Sequence, residues 1–188
     1  MRYRVIQTQS GDGLWRHIER HSPQTVGYMA DPNDEGDYQC FVALDAQGRF
    51  AGLSIVAIGR LGFGPLADRT VGCLENIFVP MPYRRGGIGS ALFEKALDAA
   101  WQAGAVHVWW TIDYENSAAI AFYLSRGAVF IAEEDPAADH PEQYYTVVVA
   151  NPDRRAGMPS AHKTVQPTRA SRSPLDKNRK SRTAGSRR

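Results

Sequence analysis

Cysteine is scarce in this chain: it occurs twice, at Cys40 and Cys73, far apart and in no CxxC arrangement. That excludes a disulfide framework and a thiolate zinc site as the basis of the fold. Both cysteines sit in apolar runs, so buried free thiols and a reducing, cytoplasmic location are expected. No apolar run approaches about 18 residues, which excludes a helical membrane span. The start, Met1-Arg2-Tyr3-Arg4-Val5, turns polar at Gln7 and lacks the pattern of a signal peptide. The five histidines show no metal-ligand spacing, so no metal is expected. No internal repeat is present.

Net charge is also small, at +2, but it conceals an asymmetry. Residues 151–188 carry 11 Lys and Arg against 2 Asp and Glu, which leaves 11 against 18 for residues 1–150. The body is acidic and favours cationic ligands through its long-range field. From Asn151 onward apolar residues nearly vanish. Such a segment buries too little to offset its ordering entropy, so residues 151–188 are expected to form a disordered basic tail. Residues 1–150 are expected to form one domain, large enough for a core without covalent staples.

Hydrophobic periodicity orders the body. Tyr3–Thr8 alternates as a strand, and Gly13–His21 predicts a short helix with Asp12 as N-cap. Residues 22–39 form a loop holding Asp31, Asp34, Glu35 and Asp37, with a helical turn around Val26–Met29. Cys40–Asp45 and Phe50–Leu61 flank Ala46-Gln47-Gly48-Arg49, a hairpin composition. Gly62–Asp68 is a second loop, and Gly72–Val79 a strand ended by Pro80 and Pro82. Ile88–Ala103 places apolar residues at 88, 92, 93, 96, 97, 100 and 101, a helical period stopped by Gly104. His107–Asp113 is a strand whose Trp109 and Trp110 point to opposite faces, with core the expected place for both. Asn116 caps a helix to Arg126, and Gly127 ends it. Strands Val129–Glu133 and Gln143–Ala150 close the domain around an acidic loop, Glu134–Glu142. The order predicts an α+β fold.

One turn stands out in that order: Arg84-Arg85-Gly86-Gly87-Ile88-Gly89, between a strand and a helix. Its glycines permit close backbone approach and positive φ. The helix behind it exposes unpaired N–H groups at the positive end of its dipole. Together these make an anion cradle suited to phosphate or pyrophosphate; a solvated strand-to-helix turn is the plain alternative.

Leu74-Glu75-Asn76-Ile77-Phe78-Val79 followed by Tyr83-Arg84-Arg85-Gly86-Gly87-Ile88-Gly89 resembles the acetyl-CoA signature of the Gcn5-related N-acetyltransferase (GNAT) superfamily. Arg84, Gly87 and Gly89 fill the fixed places of Arg/Gln-x-x-Gly-x-Gly/Ala. Asn116-Ser117-Ala118-Ala119-Ile120-Ala121-Phe122-Tyr123, then Arg126-Gly127-Ala128, is similar to the second motif of that superfamily. The wording is most similar to the diamine and polyamine acetyltransferases and other small-amine acetyltransferases. The resemblance covers roughly residues 3–150. It implies a mixed, largely antiparallel sheet of roughly six to seven strands with about four helices. It also implies transfer of an acetyl group from acetyl-CoA, the co-substrate, to a primary amine by direct attack in a ternary complex.

An alkylamine with a pKa near 10.4 is neutral in about one molecule in 2,500 at pH 7, a deficit of about 4.6 kcal/mol, so a base must take its proton. The resemblance gives Glu75 that role. A buried carboxylate paired with Arg60 or Arg84 is the competing reading, and Asp113 and Glu115 are alternative bases. It gives Tyr123 the role of proton donor to the leaving thiolate, against a plain core tyrosine. Backbone N–H groups of Arg85, Gly86, Gly87, Ile88, Gly89 and Ser90 are expected at the pyrophosphate, beside Arg84. The edge of Ile77, Phe78 and Val79 is expected along the pantetheine arm, and Asn116 to hydrogen-bond it. A serine, cysteine or histidine nucleophile is not needed.

The expected partner is a small cationic amine, without a membrane, and a homodimer is left open. A protein lysine or N-terminal acetyltransferase is the alternative. A nucleic-acid-associated binder using the basic tail is a third reading, of another class.

Overall fold

The computed structural model describes residues 2–31, 34, 36–60, 68–113, 115–131 and 144–152. The loops expected at 62–68 and 134–142 and the tail from 153 lie almost wholly outside the described residues.

Among the described residues seven strands form one sheet: β1 (Tyr3–Thr8), β2 (Asp37–Asp45), β3 (Phe50–Gly59), β4 (Val71–Phe78), β5 (His107–Asp113), β6 (Val129–Ile131) and β7 (Tyr144–Ala150). Their order is β1-β2-β3-β4-β5-β7-β6. Four α-helices accompany them among the described residues: α1 (Trp15–His21), α2 (Pro23–Met29), α3 (Ile88–Gln102) and α4 (Ser117–Leu124). Element order, strand count and the mixed sheet agree with the sequence expectation. Pairing is antiparallel throughout except between β4 and β5, which run parallel.

The β2–β3 turn forms because Asp45 replaces missing ladder partners. Its carboxylate accepts the N–H groups of Gln47 and Arg49, each at 2.9 Å, and the Arg49 guanidinium at 2.8 Å. Helix α3 ends as its glycine predicts. Gly104 sits at φ 88°, and Ala105 N–H reaches back to the Ala100 carbonyl at 2.9 Å. Asn116 caps α4 by accepting the Ala119 N–H at 3.1 Å. The expected cap at Asp12 is corrected: its carboxylate takes Gln9 N–H at 3.0 Å and closes the preceding turn, while Leu14 stands at the N-cap of α1 without a side-chain bond.

Strand β3 is buried along nearly its whole length because helices cover both faces of the sheet. On one face α3 packs Ile88, Leu92, Phe93, Ala96 and Ala100 against Phe41, Val56, Leu74, Val108 and Trp110. Each large side chain buried there contributes about 1.5–3 kcal/mol. On the other face α1 and α2 cover Cys40, Val42, Leu53 and Ile55, with Ile18 fully buried between them. The Asn76 amide fixes the α1–α2 junction by donating to Ser22 Oγ and to the His21 carbonyl. His21 stacks against both Phe50 and Phe78, at 4.7 and 4.8 Å, and His17 stacks against Phe50 at 4.6 Å. Trp110 is core as expected; Trp109, on the opposite face, is only half-buried.

Candidate active site

Strands β4 and β5 pair at two positions only, Gly72 with Val108 and Cys73 with Trp109. Beyond Cys73 they part, and the β5-facing edge from Leu74 to Phe78 has no strand partner among the described residues. A wedge opens there through the sheet. The 84–89 turn and the start of α3 close one end of it. Its conformation explains its glycines. Gly87 is the N-cap of α3 at φ 82°, and Arg85 is left-handed at φ 63°. No side chain caps α3 and no acid lies in its first turn, so its first N–H groups stay available for an anion. The Arg84 side chain does not reach outward through Nε, which donates to the Val79 carbonyl at 2.9 Å and ties the turn to the strand end. Tyr3 steadies the turn from β1, its hydroxyl donating to the Gly87 carbonyl at 3.4 Å.

Gly89 lies between Val79 and Phe122: a Cβ there would come 3.7 Å from one and 3.9 Å from the other. Strand end, helix α3 and helix α4 therefore meet at this residue. Arg126 strengthens the meeting. Its guanidinium lies 3.8 Å over the Phe122 ring, donates to the Phe122 carbonyl at 2.9 Å, and bonds Ser90 Oγ across to α3. Asn116 lies at the start of α4, its amide oxygen engaged in the cap and its amide nitrogen outside that bond.

Glu75 occupies a bulge. Asn76 pairs with Ile55 and Leu74 with Val56, so Glu75 has no partner on β3. The extra residue shifts the alternation. Leu74 and Ile77 face the α3 core, while Phe78 joins the α1–α2 core and Asn76 reaches Ser22. Glu75 stays with Cys73 on the α1–α2 face, and the two side chains are hydrogen-bonded. The pairings with Arg60 or Arg84 considered for it do not form. Among the described residues the one ion pair is Arg49–Asp45. Burial raises the Glu75 pKa above its ordinary value; the Cys73 bond opposes the rise and the Asp34 charge adds to it. The Cys73 thiol is itself pushed up, by burial first and then by Glu75, which keeps it protonated and unreactive.

Tyr123 lies on the opposite face. Its ring packs against Trp110 at 4.6 Å, Phe122 at 4.9 Å and Phe93 at 5.4 Å. Burial raises its phenol to about 12, with Arg126 pulling the other way, so it keeps its proton at neutral pH. The alternative acids are exposed at the end of β5, where Asp113 takes the Glu115 N–H at 2.8 Å in a local turn. Two arrangements were not foreseen from sequence. Tyr83 donates to Asp45 at 3.0 Å, linking the turn to the β2–β3 hairpin. Tyr38 donates to Asp34 at 2.6 Å beside Glu75. Tyr83 and Asp45 are 38 residues apart and meet only through the tertiary fold; Tyr38 and Asp34 are four residues apart, a local contact whose place over the sheet is set by strand pairing.

Residues 10–128 match the acetyltransferase (GNAT) family model, and the chain belongs to that family. Its class comprises enzymes that move the acetyl group of acetyl-CoA onto an amine. A streptothricin acetyltransferase from Streptomyces lavendulae is 32% identical over 131 residues, 64% of this chain and 66% of that protein, just under two thirds of its length. Among solved structures, a nourseothricin acetyltransferase shares the fold at a TM-score of 0.53 and 21% identity, covering 79% of this chain and 98% of that one. A Bacillus subtilis acetyltransferase in complex with CoA does so at 0.56 and 13%, covering 80% and 99%. Among the described residues no helix is long and apolar enough to cross a membrane.

Proposed function

We propose that the protein transfers the acetyl group of acetyl-CoA to a primary amine of a small cationic molecule by direct attack in a ternary complex. The β4–β5 wedge carries this reading, because it joins the two faces of the sheet: Glu75 stands on one and Tyr123 on the other. The pantetheine arm lies along the open edge of Ile77, Phe78 and Val79, and Asn116 bonds it from α4. The pyrophosphate rests on the N–H groups of Arg85 to Ser90. The amine approaches from the α1–α2 face, and Glu75 takes its proton. The nitrogen lone pair attacks the thioester carbon. A β4 N–H stabilises the oxyanion. The carbonyl re-forms as the C–S bond breaks, Tyr123 gives its proton to the departing thiolate, and the second proton that the nitrogen sheds on becoming an amide passes through solvent to restore Tyr123.

The acidic body, the half-buried Glu75 and the 32% identical streptothricin acetyltransferase support a cationic acceptor. The test is thiol release from acetyl-CoA with a panel of polyamines, streptothricin, aminoglycosides, amino acids and N-terminal peptides. Cationic small amines are expected to raise release well above background. Release with N-terminal peptides alone transfers the assignment to a protein acceptor, and no response to any amine ends the reading. The tail is proposed as accessory: a gel shift of the full chain that salt abolishes and a 1–152 truncation lacks would give it a nucleic-acid role.

A further inference from the structure

Glu75 does not stand alone on its face of the sheet. The lateral row Tyr38–Ala57–Cys73–Trp109 runs across β2, β3, β4 and β5. All four side chains therefore share one face, and the bulge keeps Glu75 on it two residues beyond Cys73. The segment leading into β2 folds down onto this row. At Gly36 a Cβ would come 2.9 Å from Asp34 Oδ1, 3.0 Å from the Tyr38 ring and 3.3 Å from Ala57, so these three converge where a side chain would not fit. The Asp34 carboxylate is held there by the Tyr38 hydroxyl at 2.6 Å and the Gly36 N–H at 2.8 Å. A second carboxylate is thus seated over the neighbour of Cys73, with no guanidinium or ammonium paired to it among the described residues.

We infer that Asp34, seated by Tyr38 and Gly36, and Cys73 are positioning residues for Glu75: the fixed Asp34 charge makes Glu75 a stronger proton acceptor, and the Cys73 thiol anchors its carboxylate. This rests on the reading of Glu75 as the base. The two neighbours act with opposite sign. A like charge nearby favours the protonated form of Glu75, and a donated hydrogen bond favours the ionised form. The causes acting on Glu75 carry those signs, Asp34 raising its pKa and Cys73 lowering it. The groups facing Glu75 are Cys73 from its own strand and Asp34 from the segment before β2; Tyr38, whose own proton is held by burial and by Asp34, is charge-free at neutral pH. A base held nearer the amine in proton affinity accepts its proton at lower cost, and this arrangement raises Glu75 without burying it fully.

The test is the carboxyl titration of Glu75 in the full chain, by NMR of protein labelled at glutamate side-chain carboxyls. The resonance is assigned by its loss in Glu75→Gln. Asp34→Asn is expected to move the Glu75 midpoint to lower pH, and Cys73→Ala to higher pH. Tyr38→Phe, which keeps the ring and releases Asp34, shifts it the same way as Asp34→Asn and by less. The acidic limb of kcat/KM against pH follows the same directions. A midpoint unmoved by both Asp34→Asn and Cys73→Ala, or moved in one direction by both, overturns the inference. Failure of the parent reading is seen separately: full turnover in Glu75→Gln removes Glu75 as the base whatever its neighbours do to its titration.

Discussion

At the scale of single residues, chemistry and stability pull Glu75 in opposite directions. A half-buried carboxylate with a raised pKa costs folding free energy while ionised. Glu75→Gln is therefore expected to lower turnover by roughly 10²- to 10⁴-fold, the range for loss of an acid–base group. Its melting temperature at pH 7 should be equal to or above that of the parent. Steady-state thiol release and a thermal melt read the two effects; a large fall in both would mean a structural role. Tyr123→Phe separates binding from chemistry. The ring stack on Phe93, Trp110 and Phe122 is kept and only the hydroxyl goes. Turnover is expected to fall by about 10²-fold or more, with the calorimetric affinity for CoA little changed; unchanged turnover would take Tyr123 out of the mechanism.

At the scale of elements, two glycines set the geometry of the wedge for different reasons. Gly87 lies at φ 82°, where a Cβ costs roughly 1–2 kcal/mol of backbone strain. Gly87→Ala is expected to weaken CoA binding by distorting the turn, with the loss read by calorimetry, while the sheet stays intact by circular dichroism. Gly52 is a matter of space: a Cβ there would sit 2.8 Å from the Phe78 carbonyl oxygen and 3.0 Å from Leu92. Backbone at the end of β4 cannot give way as a side-chain tip can. Gly52→Ala is expected to cost about 1–3 kcal/mol in denaturant unfolding, the range for overpacked cores. The helices and strands themselves were largely legible. The period of α3, its Gly104 stop and the Asn116 cap follow from local chemistry, because their partners lie within one turn. Asp12 reads as a cap in sequence and closes a turn in the fold, because the same carboxylate satisfies either equally well.

For the whole molecule, three histidines give the stability a predictable pH dependence. His17, His21 and His107 are all held below the usual imidazole value. Burial is the first cause in each, reinforced by Arg16 and His21 at His17, by Arg20 at His21 and by Arg69 at His107. Both ring nitrogens of His107 are buried without a partner. The unfolded chain takes up protons as pH falls through about 6.5, and the folded chain resists until lower pH. The stability these groups contribute is complete above about 6.5 and is lost as pH drops toward their folded values. Asp45 is left out of that window. Burial alone would raise it, but the Arg49 N–H and guanidinium, Tyr83 and Gln47 hold it at about 2, so its contribution survives until strong acid. Melting temperature is expected to stay level from about pH 8 to 7 and to decline below about 6.5. His21→Phe, which keeps a ring stacked against Phe50 and Phe78, should reduce the slope; an equal slope would assign the decline to other groups.

The sequence by itself determined the family motifs, the order of elements and the glycine turn that we propose as the anion cradle. Each is written in a short run of residues whose spacing has a local physical meaning: three glycines at a strand-to-helix turn, an apolar period, a capping amide. It also singled out Glu75 and Tyr123. What only the tertiary structure decided is how those residues stand to one another. The parting of β4 from β5 after Cys73, the bulge that sets Glu75 on the α1–α2 face, and the row that brings Tyr38 across Ala57 to Cys73 all depend on pairings between distant strands. Register across a sheet is fixed by the summed burial of both faces, and no single stretch of sequence carries that sum.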